Sequence, residues 1–311
     1  MSRSMKAHLL LLAVVFVWGS TFVVVKGALA DISPLLFNLL RMSLATLSLS
    51  LLYWRHIGKI DHRALAAGGV TGLWLATGYQ FQTAGLRLST PSKSAFITGL
   101  VVVLVPLLLV IPRLRPPGTH APRWNAYAGA ALAFVGILLL TNPATAGSDL
   151  GAVNAGDMLT LGCALGFAFH MLALAHYSPR VRFEQLAVMQ VGFAAVFMGA
   201  SLKLFEHPFI HWTPRVVAAL LIAALLATAA AFTIQSWAQQ FIPATHTALI
   251  FTLEPVFAWL TSFVVLRERL GVRSTAGAVL ILAGIGATEL LPERIQPTAH
   301  ETAPLSGPAT D

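Results

Sequence analysis

The stretch Gly129–Ile137 (GAALAFVGI) returns near the end of the chain as Gly277–Ile285 (GAVLILAGI). Five of the nine positions are identical, and in both copies the two glycines are seven residues apart. Seven residues are about two helical turns, so each glycine pair lies on one face of a helix. A duplicated apolar helix of this kind predicts a chain made of two related halves.

Apolar stretches of similar length fill almost the whole chain. It has 311 residues, of which 57% are hydrophobic and 10% charged, and its mean hydropathy is +0.76. Soluble domains have about 25% charged residues. A helix needs about 20 apolar residues to cross a bilayer. We therefore predict ten spans, at residues 7–25, 34–54, 64–84, 91–112, 124–141, 153–175, 183–205, 214–238, 243–266 and 272–291.

The ten spans divide into two sets of five. Because five is odd, the second set must enter the membrane from the opposite side. The predicted fold is thus an all-α integral membrane protein whose ten transmembrane helices form two inverted five-helix repeats, an architecture found in many secondary transporters. The predicted parts are a first repeat at 7–141, a loop at 142–152, a second repeat at 153–291 and a disordered cytoplasmic tail at 292–311.

The distribution of Lys and Arg predicts the orientation. With the N-terminus inside, the early inner segments hold more of these residues than the outer ones, which places both termini in the cytoplasm of a multi-pass cell (inner) membrane protein. Arg267, Arg269 and Arg273 run against this rule. The first apolar run, 7–25, is longer than a signal-peptide core and is expected to stay as the first helix.

Several functional classes lack their signature residues. The net charge of +8 lies mainly in short loops, so it indicates topology rather than a nucleic-acid partner. The single cysteine, Cys163, permits no intrachain disulfide. His170 and His176 are six residues apart, which does not suit a helical metal pair. We predict no catalytic residue, metal or cofactor; a channel or a membrane-embedded enzyme without a recognisable motif remains the alternative.

Motifs in a fixed order connect the chain to a known family. They are Trp18–Phe22, Pro34–Arg41, Ala95–Leu100 through Pro106, Ala248–Ile250, Leu253–Val256, Arg267–Gly271 and the Gly277–Gly284 helix. Together they resemble the EamA-type drug/metabolite transporters over about residues 7–291. The resemblance implies ten helices and carriage of a small metabolite, such as an amino acid or related polar compound, with export as the expected direction. Span one has no acidic residue, so the glutamate mechanism of the small multidrug relatives does not transfer.

Two charged residues lie inside predicted spans. Glu254 is the only acidic residue near the middle of a span, where it must face protein or water. It could bind a substrate cation or a proton, or it could bond the backbone around the break at Pro255. Arg41 lies about two turns into span two. It could neutralise a substrate carboxylate or phosphate, or it could bond carbonyl groups of the protein.

Aromatic and amide side chains complete the predicted site. A shift of 153 residues between the repeats places Gln82 on Gln235, whereas Glu254 falls on Val101. Amides and aromatic rings suit a polar or cationic solute, but they also serve as helix contacts and interfacial belts. The candidates of this kind are Trp18, Trp74, Tyr79, Gln80, Gln82, Gln235, Trp237 and Gln239.

The sequence predicts a substrate site between the halves near mid-bilayer. The predicted binding residues are Trp18, Arg41, Tyr79, Gln82, Gln235 and Glu254. The expected partners are a small-molecule substrate and the lipid bilayer, without nucleic acid, and the oligomeric state stays open. Gly136 and Gly284 are expected to hold helices five and ten against their own repeats.

Overall fold

The computed structural model describes residues 3–57, 60–115, 124–141, 153–242, 247, 250–251 and 253–290. These residues are almost entirely helical. The main helices are α1 (Arg3–Ala28), α2 (Pro34–Leu52), α3 (His62–Leu88), α4 (Pro91–Leu108), α5 (Trp124–Thr141), α6 (Ala155–Tyr177), α7 (Phe183–Phe205), α8 (Pro214–Ala238), α9 (Glu254–Leu266) and α10 (Val272–Leu290). A single helical turn, Trp54–Ile57, follows α2.

The helices begin where the sequence supplies a proline or a capping side chain. Pro34, Pro91 and Pro214 occupy the first turns of α2, α4 and α8, where a missing N–H costs no hydrogen bond. The Thr90 and Thr213 hydroxyls accept hydrogen bonds from backbone N–H groups of the turns that follow. Three predicted starts are therefore confirmed, and the fourth, at Pro243, lies outside the described residues.

Six helices, α1, α2, α4, α6, α7 and α8, are long and apolar enough to cross a membrane. The described part of α9 and the apolar centres of α5 and α10 are shorter, and α3 does not reach the same hydropathy. Large side chains such as Leu47, Val196 and Leu226 point outward and are more than half exposed. An apolar outer surface of this kind suits lipid.

Four of the connections between helices lie at one end of the bundle. We name it the Asp31 end, after a residue in the turn between α1 and α2. There Ile32 pairs with Ile210 in a β-bridge, and the Arg87 guanidinium lies 5.4 Å from the centre of the Phe209 ring. The Thr90 hydroxyl donates a hydrogen bond of 2.7 Å to the Glu268 carboxylate. This end therefore gathers the turns after α1, α3, α7 and α9.

Three other described turns meet at the opposite end, which we name the His56 end. The Gln185 amide donates to the His56 carbonyl over 3.2 Å, and the Gln240 amide donates to the Ser178 carbonyl. The Arg3 guanidinium lies over the Phe241 ring. The turns after α2, α6 and α8 thus share one end with the start of α1. Helices joined by the turns described at these two ends run in opposite directions.

Helices α5 and α10 pack against each other through the duplicated glycines. A Cβ atom added to Gly136 would lie 2.6 Å from the Gly277 oxygen, and one added to Gly284 would lie 2.5 Å from the Gly129 oxygen. The prediction of close packing at these glycines holds, but the predicted partners were wrong. Each glycine faces the equivalent helix of the other repeat, because the two helices run antiparallel with their glycine faces opposed.

Helix α3 of the first repeat packs along α6 and α7 of the second. Gly78 lies under the Phe167 ring, and a Cβ atom added to Gly85 would lie 2.7 Å from the Gly156 oxygen. A Cβ atom added to Gly72 would lie 2.7 Å from the backbone carbonyl oxygen of Gln190. The small residues of α3 therefore bring its polar side chains directly to the boundary between the repeats.

Candidate functional site

A cavity of about 80 Å³ lies between the two repeats, which is room for several water molecules. Helices α1 to α4 bound it from the first repeat, and α6, α8 and α9 bound it from the second. All six residues predicted from the sequence line it: Trp18, Arg41, Tyr79, Gln82, Gln235 and Glu254. The structure thus brings together side chains from α1, α2, α3, α8 and α9.

Arg41 is fixed in place by three hydrogen bonds. Its Nε donates to the Thr228 hydroxyl over 2.6 Å, and its Nη2 donates to the Tyr79 hydroxyl over 3.0 Å and to the Ala227 carbonyl over 3.1 Å. The guanidinium carbon lies 4.2 Å from the centre of the Tyr79 ring. Its Nη1 has no hydrogen-bond partner among the described residues, and Arg41 lines the cavity.

A π-helical segment of α8, Ile222–Ala230, supplies two of the three partners of Arg41. Within it the Ala227 carbonyl accepts from both Arg41 and the Trp18 indole, the latter over 2.8 Å. A π-helix widens the backbone and turns carbonyl groups outward, and such segments are frequent at functional sites. The segment therefore ties α1 and α2 to α8 at the cavity.

Aromatic rings form one wall of the cavity. The Trp18 ring centre lies 5.0 Å from that of Phe251 and 5.6 Å from that of Phe232. The Tyr79 and Phe167 rings meet edge to face at 5.1 Å. Three of these residues, Phe167, Phe232 and Phe251, were missed from the sequence, where phenylalanines occur throughout the spans and none is distinguished by its neighbours.

Glu254 is half-buried at the first turn of α9, and it lines the cavity. No hydrogen bond or ion pair joins its carboxylate to another described residue. The backbone of Glu254 packs closely against α1, because a Cβ atom added to Gly19 would lie 2.8 Å from the backbone carbonyl oxygen of Glu254. The side chain thus lines the cavity from the first turn of a closely packed helix.

The two repeat-related amides differ in their bonding. Gln82 donates a long hydrogen bond of 3.5 Å to the Thr98 hydroxyl. Gln235 is 2% exposed, and its Oε1 is buried without a hydrogen-bond partner among the described residues. An unpaired buried amide oxygen costs about 1–3 kcal/mol. A ligand donor in the cavity would remove that cost.

His170 also lines the cavity, and the sequence considered it only as a metal ligand. Its Nε2 lies 2.9 Å from the Gln190 Oε1, and the Gln190 Nε2 donates to the Ser236 hydroxyl over 3.0 Å. No group of three or more metal-binding side chains exists in the described part of the chain. The histidine belongs to a hydrogen-bonded line that runs from α6 through α7 to α8.

A buried ion pair at the Asp31 end was also missed. The Lys93 Nζ lies 2.6 Å from the Asp157 carboxylate, and each side chain is 1% exposed. Asp157 also accepts from the Ser89 hydroxyl and forms a capping box with Asn154. Lys93 therefore joins α4 to α6 in the interior. No pattern in the sequence indicates that side chains at the starts of α4 and α6, which are distant in the chain, form an ion pair.

The other polar and aromatic candidates lie outside the cavity. Gln80 accepts from Asn38 and donates to Ser201, so it acts as a helix contact. The Trp74 ring stacks on Phe169, and Trp237 meets Phe241 near the His56 end. Both tryptophans pack against neighbouring rings, and none of these residues, nor Gln239, lines the site.

Comparison with known proteins identifies similar chains over nearly the full length. A sequence model described as the EamA-like transporter family matches residues 5–142 and 154–288. An uncharacterized transporter of Archaeoglobus fulgidus is 33% identical over 91% of this chain and 85% of its own length. A probable amino-acid metabolite efflux pump of Salmonella typhimurium is 28% identical over 91% of this chain and 94% of its own length.

The fold has a counterpart of known structure. A crystal structure that is 19% identical in sequence superposes with a TM-score of 0.67, over 93% of this chain and 98% of the other. At this identity the likeness concerns the fold alone. It covers both repeats and therefore the helices that surround the cavity.

Proposed function

The chain belongs to the EamA-like transporter family, and on that premise we propose that it is a secondary carrier that exports a small amino-acid-like metabolite. The efflux-pump relative supports the substrate class and the direction. The proposed membrane is the cell (inner) membrane, crossed ten times with both termini in the cytoplasm. The protein itself catalyses no covalent change of its substrate in this proposal.

One observation carries the proposal: a single cavity holds an uncommitted carboxylate and an uncommitted guanidinium nitrogen. Glu254 and Arg41 both line the cavity, yet no ion pair joins them. A free amino acid has an ammonium and a carboxylate, so it would compensate both residues at once. The aromatic wall formed by Trp18 and its neighbours would cover an apolar side chain.

The position of the cavity suits alternating access. It lies between two inverted repeats, and carriers of this architecture move one repeat or bundle against the other around a fixed site. Trp18, Tyr79, Gln82 and Gln235 come from helices of both repeats, so a relative motion of the repeats would change the site. In the proposed mechanism, substrate is released when that motion separates its partners.

Counterflow in proteoliposomes tests this function. Vesicles loaded with unlabelled L-leucine are diluted into labelled L-leucine, and the label is followed with time. A carrier gives a transient, saturable accumulation of label that an unloaded vesicle lacks. A channel gives only equilibration, and an enzyme gives a chemically altered product. Absence of counterflow for leucine and for the other standard amino acids would refute the proposed substrate class.

A further inference from the structure

Three hydrogen-bond acceptors on residues that line the cavity have no donor among the described residues. They are the Glu254 carboxylate, the buried Gln235 Oε1 and one nitrogen of His170. Gln235 is the firmest of the three, because its oxygen is buried and unpaired among the described residues. Such acceptors require hydrogen-bond donors, and a ligand with several N–H groups would supply them.

Gln190 determines which nitrogen of His170 is the acceptor. Since the Gln190 Nε2 donates to Ser236, its Oε1 is the atom that faces the imidazole. With the amide in this orientation the oxygen can only accept, so the His170 Nε2 bears the proton and donates. The neutral imidazole then has its lone pair on Nδ1. Nδ1 has no partner among the described residues, and the ring lines the cavity.

The three acceptors lie on neighbouring elements. Gln235 is adjacent in the chain to Ser236, which bonds to the Gln190 that holds His170. Glu254 follows Phe251 by three residues in the chain, and the Phe251 ring contacts that of Trp18. Trp18 in turn contacts Phe232, whose ring centre is 5.7 Å from that of His170. The rings of Phe251, Trp18 and Phe232 thus lead from the Glu254 side of the cavity to His170, and aromatic faces attract cations.

We infer that Glu254, Gln235 and His170 form a subsite for the primary ammonium group of the substrate, with Gln190 as the positioning residue of His170. A primary ammonium has three N–H donors, which match the three acceptors. This inference deepens the proposed function and rests on it. It implies that the carrier selects against compounds in which a hydroxyl replaces the ammonium, because a hydroxyl has one donor and no charge.

Three probes separate the ammonium from the rest of the substrate. L-Leucine has both charged groups, isoamylamine lacks the carboxylate, and 2-hydroxyisocaproate has a hydroxyl in place of the ammonium. For each probe we would measure the dose-dependent rise in melting temperature of the purified full-length protein, and its inhibition of leucine counterflow. Leucine and isoamylamine should bind at least about tenfold more tightly than the hydroxy acid.

Two variants test the role of the positioning residue. Gln190→Met and His170→Phe should reduce affinity for leucine by about tenfold and leave the weak affinity for 2-hydroxyisocaproate unchanged, so that selectivity falls. Matched controls are Gln185→Met on the same helix and His176→Phe near the His56 end, neither of which lines the cavity. Both should retain the wild-type selectivity. If a variant does not fold, the selectivity of the wild-type protein between leucine and 2-hydroxyisocaproate still tests the subsite.

The outcomes distinguish the subsite from the proposed function. If 2-hydroxyisocaproate binds as tightly as leucine, the subsite is refuted and the amino-acid-like carrier stands. Equal loss of affinity for both probes in Gln190→Met would also refute the subsite. If isoamylamine binds selectively while leucine is not exchanged, the subsite stands and the amino-acid function fails. If no probe binds, both are refuted.

Discussion

At the scale of single residues, Glu254 and Glu206 show how surroundings separate a ligand-binding acid from a structural one. The Glu206 carboxylate accepts hydrogen bonds from the Leu35 and Leu36 N–H groups at the start of α2. It therefore satisfies donors that the helix leaves free. Glu254 has no such partner among the described residues and lines the cavity. Of the two roles that the sequence left open, this arrangement favours the functional one.

Replacement of each glutamate by glutamine should have opposite effects. Glu254→Gln should keep the wild-type melting temperature but reduce leucine counterflow at least about tenfold, because a charged ligand partner is lost. Glu206→Gln should lose about 1 kcal/mol of stability, because a charge at a helix N-terminus is removed, and should keep normal counterflow per folded protein. Counterflow normalised to folded protein, with and without a pH gradient, checks both.

A stable, fully active Glu254→Gln protein would contradict the ligand role. If its transport becomes independent of the pH gradient while binding persists, Glu254 transfers coupling protons. If it instead loses stability and retains the pH response of its residual transport, the residue is structural.

The sequence could identify residues that are unusual for their position. Glu254 and Arg41 are charged residues within apolar spans. Gln82 and Gln235 occupy corresponding positions in the two repeats. The linear order of residues was therefore enough to predict them as site residues. His170 and Phe251 could not be found in this way, because their role depends on which face of a helix meets another. The Lys93–Asp157 pair depends on the same information.

At the scale of helices, close contacts decide stability, and the glycines of α5 and α10 give a direct test. Gly136→Ala and Gly284→Ala should each cost about 1–3 kcal/mol and reduce folding yield, because the new methyl group meets backbone atoms that cannot move aside. Gly69→Ala is the matched control, since nothing lies within 4 Å of its added Cβ atom. Melting temperatures of the three purified proteins check this, and equal values would contradict the packing.

The buried pair between α4 and α6 should behave as a coupled unit. Lys93→Met and Asp157→Asn should each be strongly destabilising, by about 3–5 kcal/mol, because each leaves an uncompensated buried charge. The double variant should lose much less than the sum of the two. A double-mutant cycle of unfolding free energies measures the coupling. Additive losses would show that the two residues act independently.

Helix starts were predictable and helix irregularities were not. Proline and threonine at the starts of α4 and α8 are local signals with a local cause. The break of α4 near Gly99 and the π-helical segment Ile222–Ala230 have no comparable signal, because the latter is a run of Ala, Leu, Ile and Thr like many regular helices. Their cause is tertiary: Gly99 lies against Pro255, and the Ala227 carbonyl bonds Trp18 and Arg41.

At the scale of the whole molecule, the two ends of the bundle should lie on opposite sides of the membrane. Trp212 is 66% exposed at the Asp31 end, and Arg63 is exposed near the His56 end. On a Cys163→Ala background, Trp212→Cys should react with an impermeant thiol reagent in intact cells, whereas Arg63→Cys should react only after permeabilisation. The reverse pattern would place the termini outside, and labelling of both in intact cells would contradict alternating helix directions.

The central claim is that substrate binds in the cavity between the repeats, and protection of a cavity cysteine tests it most directly. Met171 lines the cavity without belonging to the proposed polar contacts, and Leu88 is exposed at the Asp31 end. Met171→Cys and Leu88→Cys, each on the Cys163→Ala background, would be treated with a small thiol reagent at increasing L-leucine. Leucine should slow the modification of Cys at 171 at least about tenfold, with the concentration dependence of counterflow, and leave position 88 unaffected. Unchanged modification at position 171 while the same protein exchanges leucine would contradict the account.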